Sequence, residues 1–92
     1  MLGVELAAWN VRKMKTKWGS CNPSSRRILL NLELVKKPPE CLEYIVVHEL
    51  VHLLERHHNA RFRHLMDKHL HDWPERRRQL NAGPLVYEQW TY

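Results

Sequence analysis

Five consecutive residues, His48-Glu49-Leu50-Val51-His52, spell H-E-x-x-H inside an apolar stretch long enough to form a helix. Positions four apart on a helix share one face, with Cβ atoms about 5–6 Å apart, so both imidazoles can close on one small cation. A glutamate directly after the first histidine can then point at a water held by that cation. The metal lowers the water's pKa toward about 7, and the glutamate serves as general base. A histidine-rich helix can match this pattern by chance, so the five residues alone do not decide the matter.

The residues downstream do more. Leu53-Leu54-Glu55-Arg56-His57-His58 follows, so His58 completes H-E-x-x-H-x5-H. On an unbroken helix His58 would be turned by about 120° and raised by about 9 Å relative to His52, out of reach of the same ion. The helix must therefore end within Leu54–His57. Asn59 suits a restart, because asparagine is a preferred N-cap. After it, Phe62, Leu65, Met66, His69 and Leu70 keep the i, i+3, i+4, i+7, i+8 spacing of an amphipathic helix. His58 is thus expected in a turn, folded back toward His48 and His52. His57 is the rival third ligand, and its plain reading is an exposed neighbour.

Lys17-Trp18-Gly19-Ser20-Cys21, then Asn31-Leu32, then Tyr44 through His52, and last His58 with Phe62 together resemble the YgjP-like metallopeptidases, relatives of the WLM and SprT-like families of minimal zincins. The similarity runs from about Val11 to Trp73. It implies a zinc-dependent peptidase core in which His48, His52 and His58 stand at the ligand positions and Glu49 at the catalytic position. The H-x5-H spacing also equals that of metzincins, but Glu55 stands where those enzymes need glycine. Members of the YgjP-like family carry a substantial region before the Trp-Gly-Ser-Cys segment. Here Met1–Asn10 alone precede the expected hairpin, so the chain is expected to be either a fragment or a trimmed core.

The elements that must position these residues can be read from pattern. Val11–Trp18 alternates, Met14, Thr16 and Trp18 on one face and Lys13, Lys15 and Lys17 on the other, as a half-buried strand does. Gly19–Ser25 has turn chemistry. Ile28–Val35 alternates again, with Ile28, Leu30, Leu32 and Leu34 inward, and completes an antiparallel hairpin. Pro38-Pro39 stops that strand and opens a helix over Glu40–Leu54, apolar nearly all round and so centrally buried. A helix over Asn59–His71 packs beside it. Asp72-Trp73-Pro74-Glu75 reads as a capping box for a short helix through Leu80, and Ala82–Tyr92 has no clear place. The expected fold is α+β: a minimal zincin core in one domain spanning residues 1–92, with 1–10 and 82–92 peripheral.

Composition agrees with one small folded domain. Ninety-two residues, 43% of them hydrophobic, can hold a single core but bury a modest fraction of their surface, so a bound metal would add appreciably to stability. No run of 18 apolar residues and no signal-peptide layout occur, so a soluble cytoplasmic protein without membrane contact is expected. Cys21 and Cys41 make no disulfide framework and are expected reduced and partly buried. Between Arg12 and Lys37 stand eight Lys/Arg and one acid, Glu33, a net of +7; with a total of +5 the rest of the chain sums to −2. Zincins pair an extended substrate with an edge strand above the metal helix. A basic hairpin in that place would attract an acidic peptide or a nucleic-acid-bound protein, although lysines on an edge strand also serve to block unwanted pairing.

Other polar residues have simpler readings. His64, His69 and His71 read as exposed or capping, Arg76-Arg77-Arg78 as a solvated helix face, and Trp18 and Trp73 as core or pocket wall. Tyr44, one turn before His48, reads as an aromatic packed beside the site, with oxyanion stabilisation as the alternative. Two functions follow. One is a zinc metallopeptidase acting on peptide or protein substrates with Glu49 as general base. The other is a basic nucleic-acid-associated module whose metal site is structural or vestigial. A structural site has no use for an unligated Glu49, and no fourth Cys or His stands at a convincing spacing.

Overall fold

The structure is a computed structural model that describes residues 8–14 and 17–82. Lys15, Thr16 and residues 1–7 and 83–92, including most of the unplaced C-terminal stretch, lie outside the described residues. Three strands, β1 (Ala8–Arg12), β2 (Gly19–Asn22) and β3 (Arg27–Asn31), precede three helices, α1 (Pro39–His52), α2 (Ala60–His69) and α3 (Trp73–Asn81). The α+β class with a hairpin against the H-E-x-x-H helix is as expected, but the strand boundaries are not.

The antiparallel hairpin is β2 with β3, in the register Gly19↔Leu30 to Asn22↔Arg27. Thus Gly19–Asn22, expected as loop, is strand. The turn proper is shorter: Asn22 Oδ1 accepts from the backbone N–H of Ser24 (3.0 Å) and Ser25 (3.2 Å), and Arg26 adopts a left-handed φ of 53°. Such positive φ values are what tight hairpin turns require. On the other side of β3, β1 pairs in parallel, Ala8↔Arg27 to Arg12↔Asn31, giving the order β1-β3-β2.

β1 therefore ends at Arg12 and β2 begins at Gly19, so the chain passes from one edge of the sheet to the other between them, and Lys13, Met14, Lys17 and Trp18 belong to neither strand. Asn31 holds that crossing from inside. Its Nδ2 donates to the carbonyls of Met14 (3.0 Å) and Lys17 (2.6 Å), and its Oδ1 accepts from Glu33 N (3.0 Å). The same side chain ends β3, because it caps a 3-10 turn over Leu32–Lys36. Ile28, Leu30 and Leu34 are buried as expected, whereas Leu32 turns out to solvent, 49% exposed. Alternation predicts the faces of a strand only while the strand lasts, and here a buried asparagine stops it.

Helix α1 is the centre of the molecule. Pro39 occupies its first turn, where a missing N–H costs nothing. Cys41, Tyr44, Ile45, Val47 and Val51 join Trp18, Leu30, Leu34, Phe62, Met66, Leu70 and Leu80 in one core, so α1 meets the sheet on one side and α2 and α3 on the other. Asn59 caps α2, its Oδ1 accepting from Phe62 N at 3.0 Å. At α3 the capping box does not form. Asp72 makes no side-chain cap and turns to Arg76 Nε at 2.9 Å, while Glu75 pairs with Arg78. Arg76 also pairs with Glu43 and reaches the Glu40 carbonyl, tying α3 to the start of α1. The Asp72 carboxylate thus takes a charged guanidinium as its partner in place of the backbone N–H groups of the first turn. No helix among the described residues is long and apolar enough to cross a membrane.

Candidate active site

His48 and His52 project from one face of α1, and their Nε2 atoms lie 3.1 Å apart. Regular helix ends at His52, a little before the window expected from sequence, although the N–H groups of Leu54 and Glu55 still bond back to the Val51 carbonyl. The chain then leaves the helix axis and restarts at Ala60, so no continuous helix runs from Glu40 to His71. The turn brings His58 back: its Nε2 is 2.9 Å from His52 Nε2, and one ligand atom from each of the three histidines lies within 4.8 Å of the others. His57, His64, His69, His71 and Cys21 stand outside this cluster. Phe62, in the first turn of α2, packs on all three imidazoles, at ring-centroid distances of 5.1, 4.7 and 4.8 Å from His48, His52 and His58.

The turn is held by a residue that sequence reasoning treated only as a misfit. The Glu55 carboxylate accepts from His57 N (3.4 Å), Asn59 Nδ2 (3.1 Å) and Arg61 Nη1 (3.2 Å), bridging the end of α1 to the start of α2. Its own backbone carbonyl lies 3.1 Å from His52 Nδ1. A carbonyl can only accept, so Nδ1 carries the proton and Nε2 presents its lone pair to the cluster. Nothing in composition or periodicity marks Glu55 for this work; the one available signal was a carboxylate four residues before the Asn59 cap.

Glu49 is 3% exposed and lies where α1 passes beneath β2. A Cβ on Gly19 would stand 3.0 Å from Ile45 Cγ2 and 3.2 Å from Glu49 Oε2, so only glycine lets the strand come this close to the carboxylate. The Cys21 thiol, on the same strand, hydrogen-bonds Glu49. Burial raises the Glu49 carboxyl to about 8, against the charge of Lys17 and the Cys21 bond, which favour the ionised form. The thiol is itself raised to about 11, first by burial and then by the neighbouring carboxylate. Cys21 is therefore a protonated partner of Glu49.

The histidines are biased to the neutral form. Burial, then the charges of His52 and His58, drive His48 down to about 2; burial lowers His52 and His58 as well, with Arg77 adding to the effect at His58. Neutral imidazole is the form that binds metal. Three nitrogens on a tetrahedral ion with bonds of about 2.0–2.1 Å would stand about 3.3 Å apart, close to the two short separations here. A cation among them would also relieve the crowding of their nitrogen lone pairs. The residues present fit a divalent metal with one coordination position left open.

Beside the cluster lies a pocket of about 140 Å³. Tyr44, Phe62 and Trp73 wall it, His48 and His58 border it, and Arg63 and Arg77 complete its lining. Tyr44 is buried and meets the His48 ring edge-on at 5.6 Å, the packed aromatic expected. Trp73 is pocket wall, its Nε1 donating to Asp67 at 2.7 Å, while Trp18 belongs to the core. The run Arg76-Arg77-Arg78 is not one solvated face: Arg76 clamps helices, Arg77 lines the pocket, and Arg78 pairs with Glu75.

The three-stranded sheet over a buried H-E-x-x-H helix, backed by two further helices, is a zincin-like metallopeptidase fold. It is the fold of the metallopeptidase zymogen of Pyrococcus abyssi abylysin, with a TM-score of 0.75 and 21% identity over 86% of this chain and 80% of that one. The metallopeptidase zymogen of Methanocaldococcus jannaschii jannalysin shares it too, with a TM-score of 0.69 and 22% identity over 85% and 79%. Among curated proteins, none matches the chain in sequence. The model of the YgjP-like metallopeptidase domain matches residues 1–83, and the chain belongs to that family. It is a metallopeptidase by family, hence a hydrolase.

Proposed function

We propose that the chain hydrolyses peptide bonds with a zinc ion held by His48, His52 and His58, and with Glu49 as general base. The observation that carries this reading is the meeting of three imidazole nitrogens, 2.9 and 3.1 Å apart, one residue away from a buried carboxylate that is not itself part of the cluster. Zinc at that point would supply Lewis acidity, activating a water and polarising the substrate carbonyl. Glu49 takes the proton of the attacking water and later hands it to the leaving amine. A nearby dication favours the ionised carboxylate that a base must be, opposing the effect of burial. In the described sheet β2 is an edge strand lying over α1 beside Glu49, so an extended substrate can add to it by backbone pairing. Cys21 and Gly19 position the carboxylate, the first by its thiol and the second by leaving room.

The test is metal content and turnover together. His52→Ala is expected to abolish stoichiometric zinc binding and lower the melting temperature. Unchanged zinc by elemental analysis would sink the ligand assignment. The cytoplasm is the expected setting for a chain with two unpaired cysteines.

A second reading rests on charge. Arg12, Lys13, Lys17 and Arg27 are exposed in and beside the sheet, within the segment of net +7. That surface would draw nucleic acid, or protein bound to it, toward the same side chains. If zinc-loaded protein cleaves no peptide yet binds duplex or single-stranded nucleic acid with a steep salt dependence, binding is the function and the metal site is structural.

A further inference from the structure

Helices α2 and α3 carry five arginines, and their partners differ in a telling way. Arg61 pairs with Glu55, Arg76 with Asp72 and Glu43, and Arg78 with Glu75. Arg63 and Arg77 are the two that line the pocket beside His48 and His58, and among the described residues neither has a carboxylate within ion-pair distance. Asp67, one turn after Arg63, is engaged by Trp73 Nε1 at 2.7 Å. Two cations from different helices thus share one small, aromatic-walled cavity next to the point where the imidazoles meet. Like charges brought together without a counter-charge repel each other, and such a pair suits an anionic guest.

We propose that this pocket is a carboxylate-binding subsite, in which Arg63 and Arg77 hold an anionic group of the substrate peptide next to the bond being cut. The proposal rests on the peptidase reading for its biological use, but not for the binding itself. A cavity of about 140 Å³ holds one side chain, not a length of chain. The aromatic walls take the methylenes, and the guanidinium groups take the oxygens. The anion can come from an aspartate or glutamate side chain flanking the scissile bond, or from the free C-terminus of the peptide.

Three peptides of one sequence distinguish these sources: an internal glutamate with an amidated C-terminus, glutamine in its place with the amide, and glutamine with a free C-terminus. Their binding is measured by calorimetry on the zinc-loaded full chain carrying Glu49→Gln, which slows turnover, with and without Arg63→Gln and Arg77→Gln. Both arginines are exposed, so the fold should survive; melting and zinc content check this. One of the two carboxylate peptides should bind at least about tenfold tighter than the glutamine amide, as a charge-assisted contact warrants. That preference should vanish in the double arginine variant. Arg77→Glu should reverse it in favour of a lysine peptide.

The peptide that shows the preference identifies the source. Equal binding of all three, or a preference that survives loss of both arginines, overturns the subsite. Turnover of the same peptides by the parent separates the two claims. Carboxylate-selective binding without cleavage would end the peptidase reading and leave the subsite standing. Cleavage with no preference for a carboxylate would do the opposite.

Discussion

A methyl group placed on Gly19 would come within 3.2 Å of Glu49 Oε2, so the edge strand and the carboxylate are in contact across the sheet–helix interface. The same methyl would press on Ile45 Cγ2 at 3.0 Å and the Leu29 carbonyl at 3.2 Å. Gly19→Ala should therefore shift Glu49 by a few tenths of an ångström while costing about 1–3 kcal/mol of stability, as overpacking does. Peptide cleavage should fall by a larger factor than the folded fraction at the assay temperature, since small misplacements of a reacting group are costly. Parallel melting curves and kcat measurements check this; a loss of activity no greater than the loss of folded protein refutes it.

Glu49→Gln separates binding from chemistry. The carboxylate lies outside the histidine cluster, so zinc stoichiometry should stay at the parent's value. Cleavage should drop by about 10² to 10⁴, the usual contribution of a general base. Elemental analysis and a fluorogenic peptide assay on the same preparation measure both. A variant that cleaves at the parental rate would remove Glu49 from the mechanism.

Glu55→Ala tests the turn that carries His58. Removing the carboxylate frees His57 N, Asn59 Nδ2 and Arg61 together. Zinc affinity should weaken by about 10- to 100-fold, the range typical when a group supporting metal ligands is lost. Because Glu55 holds His52 through its backbone carbonyl, which the substitution keeps, binding should be weakened and not abolished. Competition with a chromophoric chelator measures the affinity, and an unchanged value would show that the turn holds itself without Glu55.

Metal-free protein should show opposed pH limbs. Glu49 has a folded pKa raised from 4.5 to about 8, so the unfolded chain releases that proton first and stability falls as pH rises from about 4.5 through 8. His48 has a folded pKa lowered from 6.5 to about 2, and His52 and His58 are lowered too. Those groups contribute stability above pH 6.5 that is lost as pH falls. Metal-free stability should therefore be greatest near pH 6.5, and Glu49→Gln should remove the decline on the alkaline side up to pH 8. Chemical denaturation across pH 4–9 in the presence of chelator reads this directly, and a parental alkaline limb in the variant would contradict it.

Much of the site was legible in the chain because its signals are local. His48 and His52 share a helical face by spacing alone, Asn59 caps the next helix with its own side chain, and a third histidine six residues on can join them only through a turn. Each depends on backbone geometry over a few residues. The remainder depends on partners distant in sequence. Asn31 ends β3 and holds the crossing at Met14 and Lys17, fourteen to seventeen residues away, so alternation before and after it misplaced both strands. The parallel pairing of β1 with β3 has no local signature at all. Arg76, Arg77 and Arg78 are identical letters, yet one clamps α3 to α1, one lines the pocket and one pairs within its own helix. The neighbour that meets each guanidinium is set by how three helices pack, because charge and hydrogen bonding act across space and periodicity acts only along the chain.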